Sequence, residues 1–458
     1  MTLPPSHQVL PIIRSFVDTF NTVMPLFHPK TLLKMVNDWY NIPHQRDAVS
    51  WAAINVVLAL AYKQNLTGSS GLGGGETLAS DHLRKAQSVI SDVILGNTEL
   101  LNVQVVVAMT MLLQASKDLK PSLILIATAM RLAHELGLHT RAAESQLEPD
   151  VSRQHSHVFW IAYILDKDLS MRAHKPSIQR DDDIDIDVPM PATSHDRSLH
   201  HDGQSDDDLT NDNLGVVKTL SGDARVNYFL ARIRLASIQG GIYDYLYSAR
   251  SKTRSASERA VALDSLVRAL EEWKLSIPPE FDAALAPQTL SPASLSFFCV
   301  LHAASFSCKA MINRAHAWNE TWVQSLRDSC ANSTQLRLPS QWESLVHDAR
   351  DFVILFETVP PRGYGLIWES SCSYLTAVTL LAANNVSRPF DDKVLADIRL
   401  INNAVRFIDD LTTKGNIDGN EQLQMVRNVC VELNDIALRK RDETLIMGLN
   451  NFPMFEHT

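Results

Sequence analysis

No two of the five cysteines stand close together: Cys299, Cys308, Cys330, Cys372 and Cys430 are spread over the second half, with no C-x-x-C pair. That spacing excludes a disulfide framework and a thiolate zinc site, so the expected metal and cofactor content is none. An excess of basic charge is also missing. Against 42 Lys and Arg stand 52 Asp and Glu, a net charge of −10, whereas a duplex-DNA binder carries a basic face that displaces counterions. The tightest basic cluster, Arg439, Lys440 and Arg441, reads as a solvated helix end. The apolar runs 51–62 and 103–113 fall short of the roughly 18 residues a membrane span needs, so no membrane partner is expected. Catalytic signatures are lacking too: there is no H-E-x-x-H, G-x-S-x-G or kinase set. Residues 68–75 hold five glycines, but no strand precedes them and no G-K-[ST] follows. They read as a linker rather than a phosphate cradle.

What is present is helical period. Apolar residues recur every three or four positions over 6–20, 31–40, 47–64, 78–95, 99–114, 122–136 and 151–172. Thr98 is the candidate N-cap of the fifth stretch. Gly137 follows the sixth, which Pro121 opens, the usual asymmetry of helix ends. In the second half the pattern predicts helices over 225–246, 257–276, 294–318, 340–358, 366–385, 392–412 and 420–438, with prolines between most of them. Between the halves, Asp181, Asp182, Asp183, Asp185 and Asp187 interleave with Ile184, Ile186 and Val188 as extended chain. Residues 192–213 are acidic and rich in Ser and His, the composition of a mobile loop. His195, His200, His201, Asp196 and Asp202 lie there and read as solvated rather than metal-binding. His134 and His139 are five apart across a helix end, the wrong spacing for a metal pair on one face.

The order of motifs over residues 130–191 is more specific than any one of them. Arg131-Leu132-Ala133 leads to Leu136-Gly137-Leu138-His139. Arg153, Phe159-Trp160 and Tyr163-Ile164-Leu165-Asp166-Lys167 follow. His174-Lys175-Pro176, Ile178, the acidic run, Pro189 and Pro191 close the set. This series resembles the regulatory, or middle-homology, domain of fungal zinc-cluster transcription factors. Weaker likenesses extend the match: Met24–His28, then Leu266, Leu270, Trp273 and Pro278, then Met311–Arg314. Three positions depart from the family pattern: His174 replaces its glycine, Lys175 its arginine, and Ala315 a proline. The family's DNA-binding module needs six closely spaced cysteines, which five scattered ones cannot supply.

The resemblance implies an all-α fold, a large multi-helix bundle read as a single domain over 1–458. It implies a nuclear regulator that works through a protein partner or as a homodimer. An apolar small molecule is its expected effector, and no DNA contact is expected from this chain. Trp160, Tyr163, Arg314, Trp368 and Tyr374, aromatic and basic residues on apolar helices, are the candidate ligand-binding set. Arg153, Asp166, Arg172 and Pro176 are the candidate structural motif: a buried carboxylate needs a partner, and Asp166 is expected to take Arg172, Arg153 or a backbone amide. The alternative is a cofactor-independent cyclase or isomerase of fungal secondary metabolism on the same scaffold, working in the cytoplasm by positioning and a few hydrogen bonds.

Overall fold

A computed structural model of the chain describes residues 1–64, 74–114, 118–141, 147–189, 214–317, 319–331, 338–359, 364–414 and 421–450. It falls into two compact units, although no shift of composition marks their boundary. The first holds Met1–Phe281, Thr289–Ser294 and Pro360–Glu369; the second holds Asp282–Gln288, Leu295–Val359 and Ser370–Thr458.

The first unit contains α1 (Ser6–Asp18), α2 (Pro29–Asn41), α3 (Ala48–Lys63), α4 (Gly74–Gln87), α5 (Ile90–Leu95), α6 (Leu100–Leu113), α7 (Lys120–Glu135) and α8 (Pro149–Arg172). A hairpin of β1 (Val216–Lys218) and β2 (Arg225–Asn227) follows, then α9 (Tyr228–Ile242) and α10 (Ala256–Leu275). Helices apolar on every face have to be surrounded. Accordingly α3 is buried from Trp51 to Ala61 and α6 from Asn102 to Leu112. α4 covers α3, α7 covers α6, and α8 lies between α7 and α9. The starts are written in polar side chains. Asp47 accepts from the Ser50 amide at 2.8 Å, Asn227 from the Leu230 amide at 2.8 Å, and Ser255 forms a capping box with Glu258.

The second unit is built from α11 (Pro292–Ile312) after its first three residues, α12 (Glu320–Ala331), α13 (Trp342–Thr358), α14 (Tyr364–Ser387) from Ser370 onward, α15 (Val394–Lys414) and α16 (Glu421–Asn450). Its core is aromatic: Phe306 stacks on Phe352 at 5.7 Å, and Phe356 meets Tyr374 at 4.3 Å. A bidentate pair of Arg350 with Asp397, at 2.7 and 2.8 Å, ties α13 to α15. Among the described residues, α11 is the one helix long and apolar enough to cross a membrane, and 72% of that stretch is buried inside the protein.

The all-α expectation holds, with the hairpin as the exception. Residues 225–246 do not make one helix. Arg225–Asn227 pair with Val216–Lys218, the helix starts only at Tyr228, and a π turn follows at Tyr243–Tyr247. Residues 78–95 break in two at Ser88–Val89. The cap of α6 is Glu99, not Thr98, whose hydroxyl instead donates to Glu135 at 3.0 Å. α12 was not expected at all, and Arg439–Arg441 lie within α16 rather than at a helix end. The loop 192–213 with its histidines, and residues 68–73 of the glycine run, lie outside the described residues.

Candidate functional site

α8 is the hub of the first unit. Its residues from Ser156 to Met171 are buried, which puts polar Asp166, Lys167 and Asp168 inside among apolar neighbours. Each must find a partner there. Two of them find it in the strap 175–187 that follows, which is not extended throughout as expected, since Asp181–Asp183 form a 3-10 turn. Asp166, with no exposed surface, accepts the Ile178 and Gln179 amides at 2.9 to 3.0 Å. Burial raises its carboxyl above the usual range, against the lowering by those amides. Lys167, 2% exposed, donates to Gln179 O at 2.7 Å and pairs with Asp181 at 2.8 Å. One turn earlier, Tyr163 donates to Asp181 at 3.0 Å, and Trp160 Nε1 donates to Asp187 O at 3.1 Å. Burial, with Asp181 beside it, holds the Tyr163 hydroxyl well above the ordinary phenol value. His134 meets the Gln179 side chain at 2.6 Å. α9 comes so close that a Cβ on Gly240 would stand 3.1 Å from Lys167 Nζ.

A second polar cluster forms where α3, α6 and α8 end. Helix C-termini expose carbonyls and carry partial negative charge, so cations settle there. Lys63 donates to Leu112 O at 2.6 Å, and Arg172 to Gln114 O at 3.1 Å. Asp168 accepts from Gln239 at 3.0 Å and lies 3.7 Å from Arg172. Glu369 faces Lys63, Arg172, Asp168 and Arg232. Burial pushes the Glu369 carboxyl up and the Lys63 ammonium down. Arg232, on α9, is 7% exposed, and its Nη1 is buried with no hydrogen-bond partner.

The candidate ligand-binding residues are divided between the units. Trp160 and Tyr163 belong to the first, their polar tips taken by the strap, and Arg314 and Tyr374 belong to the second. The side chain of Trp368 lies outside the described residues. Within the structural motif, Asp166 takes backbone amides. Arg153 reaches Asp150 at 3.6 Å on the surface, Arg172 turns to Asp168 and Gln114, and Pro176 O accepts from Ser170 at 3.4 Å. Sequence reasoning passed over Lys63, Lys167, Arg232 and Glu369. Lys63 closes an apolar helical run and Arg232 lies inside one, while Lys167 stands between Asp166 and Asp168.

Compared with known proteins, residues 13–275 match the family model described as fungal specific transcription factor domain. The chain belongs to that family. An ABC-transporter-regulating transcription factor of Aspergillus oryzae is 30% identical over 440 residues, 95% of this chain and 47% of the relative. Its namesake from Aspergillus fumigatus matches equally. The Fusaridione A cluster transcription factor of Fusarium heterosporum is 22% identical over 431 residues, 94% of this chain and 77% of the relative. The chain thus spans about half the length of the two Aspergillus relatives. No solved structure matches it.

In this fungal specific transcription factor domain, three helices end in the same way. Gly137 (φ 68°), His174 (φ 52°) and Arg314 (φ 54°) adopt the left-handed conformation just past α7, α8 and α11. The amides of Leu138, Lys175 and Ala315 then close onto Ala133 O, Ser170 O and Ala310 O at 2.9 to 3.0 Å. This is the Schellman arrangement, which favours glycine. His174 therefore keeps a backbone shape that glycine adopts more cheaply, and it does so where the family pattern has glycine.

Proposed function

We propose that this fungal specific transcription factor domain is the regulatory part of a nuclear transcription regulator. It acts through a protein partner or a second copy of itself and responds to a small-molecule effector. The observation that carries this reading is the family match across the first unit, joined to relatives that are themselves named transcription factors. Trp160 and Tyr163 spend their polar atoms on the strap, so the effector role passes better to the cluster around Arg232.

The test is a tethered reporter. The chain is fused to an unrelated DNA-binding domain and placed at a reporter promoter in a fungal host. Reporter output should change in either direction while fusion abundance stays constant. An abundant, nuclear fusion with unaltered output overturns the regulator reading.

A further inference from the structure

Arg232 is 7% exposed, and its Nη1 is buried without a hydrogen-bond partner. Every other charge in its cluster has a hydrogen-bonded or ionic use or faces one. Lys63 and Arg172 close carbonyls at the end of α6, and Asp168 is held by Gln239 and Arg172. Glu369 faces Arg232, yet no ion pair within 4 Å joins them among the described residues. Around Lys63, Arg172 and Arg232 stand the carboxylates Asp168, Glu369 and Glu76. A guanidinium nitrogen such as Arg232 Nη1, removed from water without a hydrogen-bond partner, is unfavourable, and the fork geometry of the group suits a planar anion, a carboxylate above all. The side chains of α9 flanking it, Phe229, Ile233, Leu235 and Ala236, are buried and apolar.

We propose that Arg232 is the recognition residue of a binding site for a small apolar monocarboxylate in the first unit. The carboxylate pairs with Arg232, and the hydrocarbon part lies among apolar side chains. The proposal rests on the effector reading for its purpose. The binding is nonetheless measured on purified protein without any reporter, so the two can fail separately.

The experiment uses the full chain and straight-chain acids from acetate to octanoate, each with its primary amide as a neutral isostere. Thermal unfolding and calorimetry read binding. At least one acid should stabilise the protein and bind at least about tenfold more tightly than its amide, the effect of one charge-assisted pair. Arg232→Met should abolish that preference. In the absence of acid, Arg232→Met should unfold at the same temperature as the parent or higher, because it removes a buried nitrogen that has no hydrogen-bond partner. Arg232→Lys should retain weaker binding of the same acid. The proposal is overturned if no acid binds, if acid and amide bind alike, if Arg232→Met binds the acid as the parent does, or if Arg232→Met without ligand is markedly less stable. The last outcome would make Arg232 a structural counterion of Glu369.

Discussion

Replacing Asp166 by alanine takes the acceptor away from two amides at once. The Gln179 residue is 1% exposed, so its N–H has no water to turn to, whereas Ile178 is 40% exposed and can recover part of its loss. A hydrogen bond to a charged group contributes about 1.5–3 kcal/mol, and a buried donor left without a partner costs about 1–3 kcal/mol. Against this, the mutation also removes a carboxylate whose burial is unfavourable, as its raised pKa records. The net loss is then about 2–4 kcal/mol, carried locally by the strap. Hydrogen exchange followed residue by residue is the direct assay. Protection of the Ile178 and Gln179 amides should fall by roughly thirty- to a thousandfold, since about 1.4 kcal/mol is a factor of ten. Asp166→Asn keeps one acceptor oxygen and should lose about half as much. Trypsin should cut sooner after Arg180 in both variants. If Asp166→Ala leaves exchange at 178 and 179 unchanged, the strap is held by something other than this carboxylate and the reasoning fails.

His174→Gly should stabilise the protein by about 0.5–1 kcal/mol, because glycine takes the left-handed cap without a Cβ penalty and that gain exceeds its extra unfolded-state entropy; a lower urea midpoint would refute this. His82 and His157 are buried, and burial lowers both to about 4 from an ordinary 6.5. The unfolded chain therefore binds more protons between those values, so stability is complete above pH 6.5 and is lost as pH falls towards 4. Each histidine contributes up to about 1.4 kcal/mol per pH unit, and His157→Phe should flatten the measured pH dependence by its share. Arg350→Met strands the buried Asp397 carboxylate and should destabilise the second unit by about 3–5 kcal/mol, while adding Asp397→Leu should restore most of that in chemical denaturation.

Much of the helical plan could be read from apolar spacing because the core helices bury almost every face, so the signal is dense in runs such as 51–61 and 103–112. The hairpin was harder. Val216–Lys218 and Arg225–Asn227 are three residues each, too short for a period, and Asn227 looks like any helix cap until its strand is seen. The turn signal was present in Ser221-Gly222-Asp223, with Gly222 at φ 79°, but a flanking helix pattern overrode it. Asp166 could be singled out as a buried carboxylate, while its choice of amides over Arg153 or Arg172 depends on where the strap lies. Arg232 carried a local signal, a cation set among Phe229, Leu230 and Ile233, although Arg234 follows it closely. Its isolation is a property of three dimensions, since it depends on Lys63, Asp168 and Glu369 finding other uses or other places.

The strap has a further consequence, for the order in which the chain takes shape. Its bonds to α8 join residues no more than 27 positions apart, among them Asp166 with Ile178, Tyr163 with Asp181, and Trp160 with Asp187. Loops that short close quickly and at little entropic cost. During synthesis, the helix and its strap can therefore set as soon as Asp187 is clear of the ribosome, before α9 exists. α9 then docks onto a surface already formed, with Gly240 set down against a lysine whose bonds to Ser177, Gln179 and Asp181 are in place.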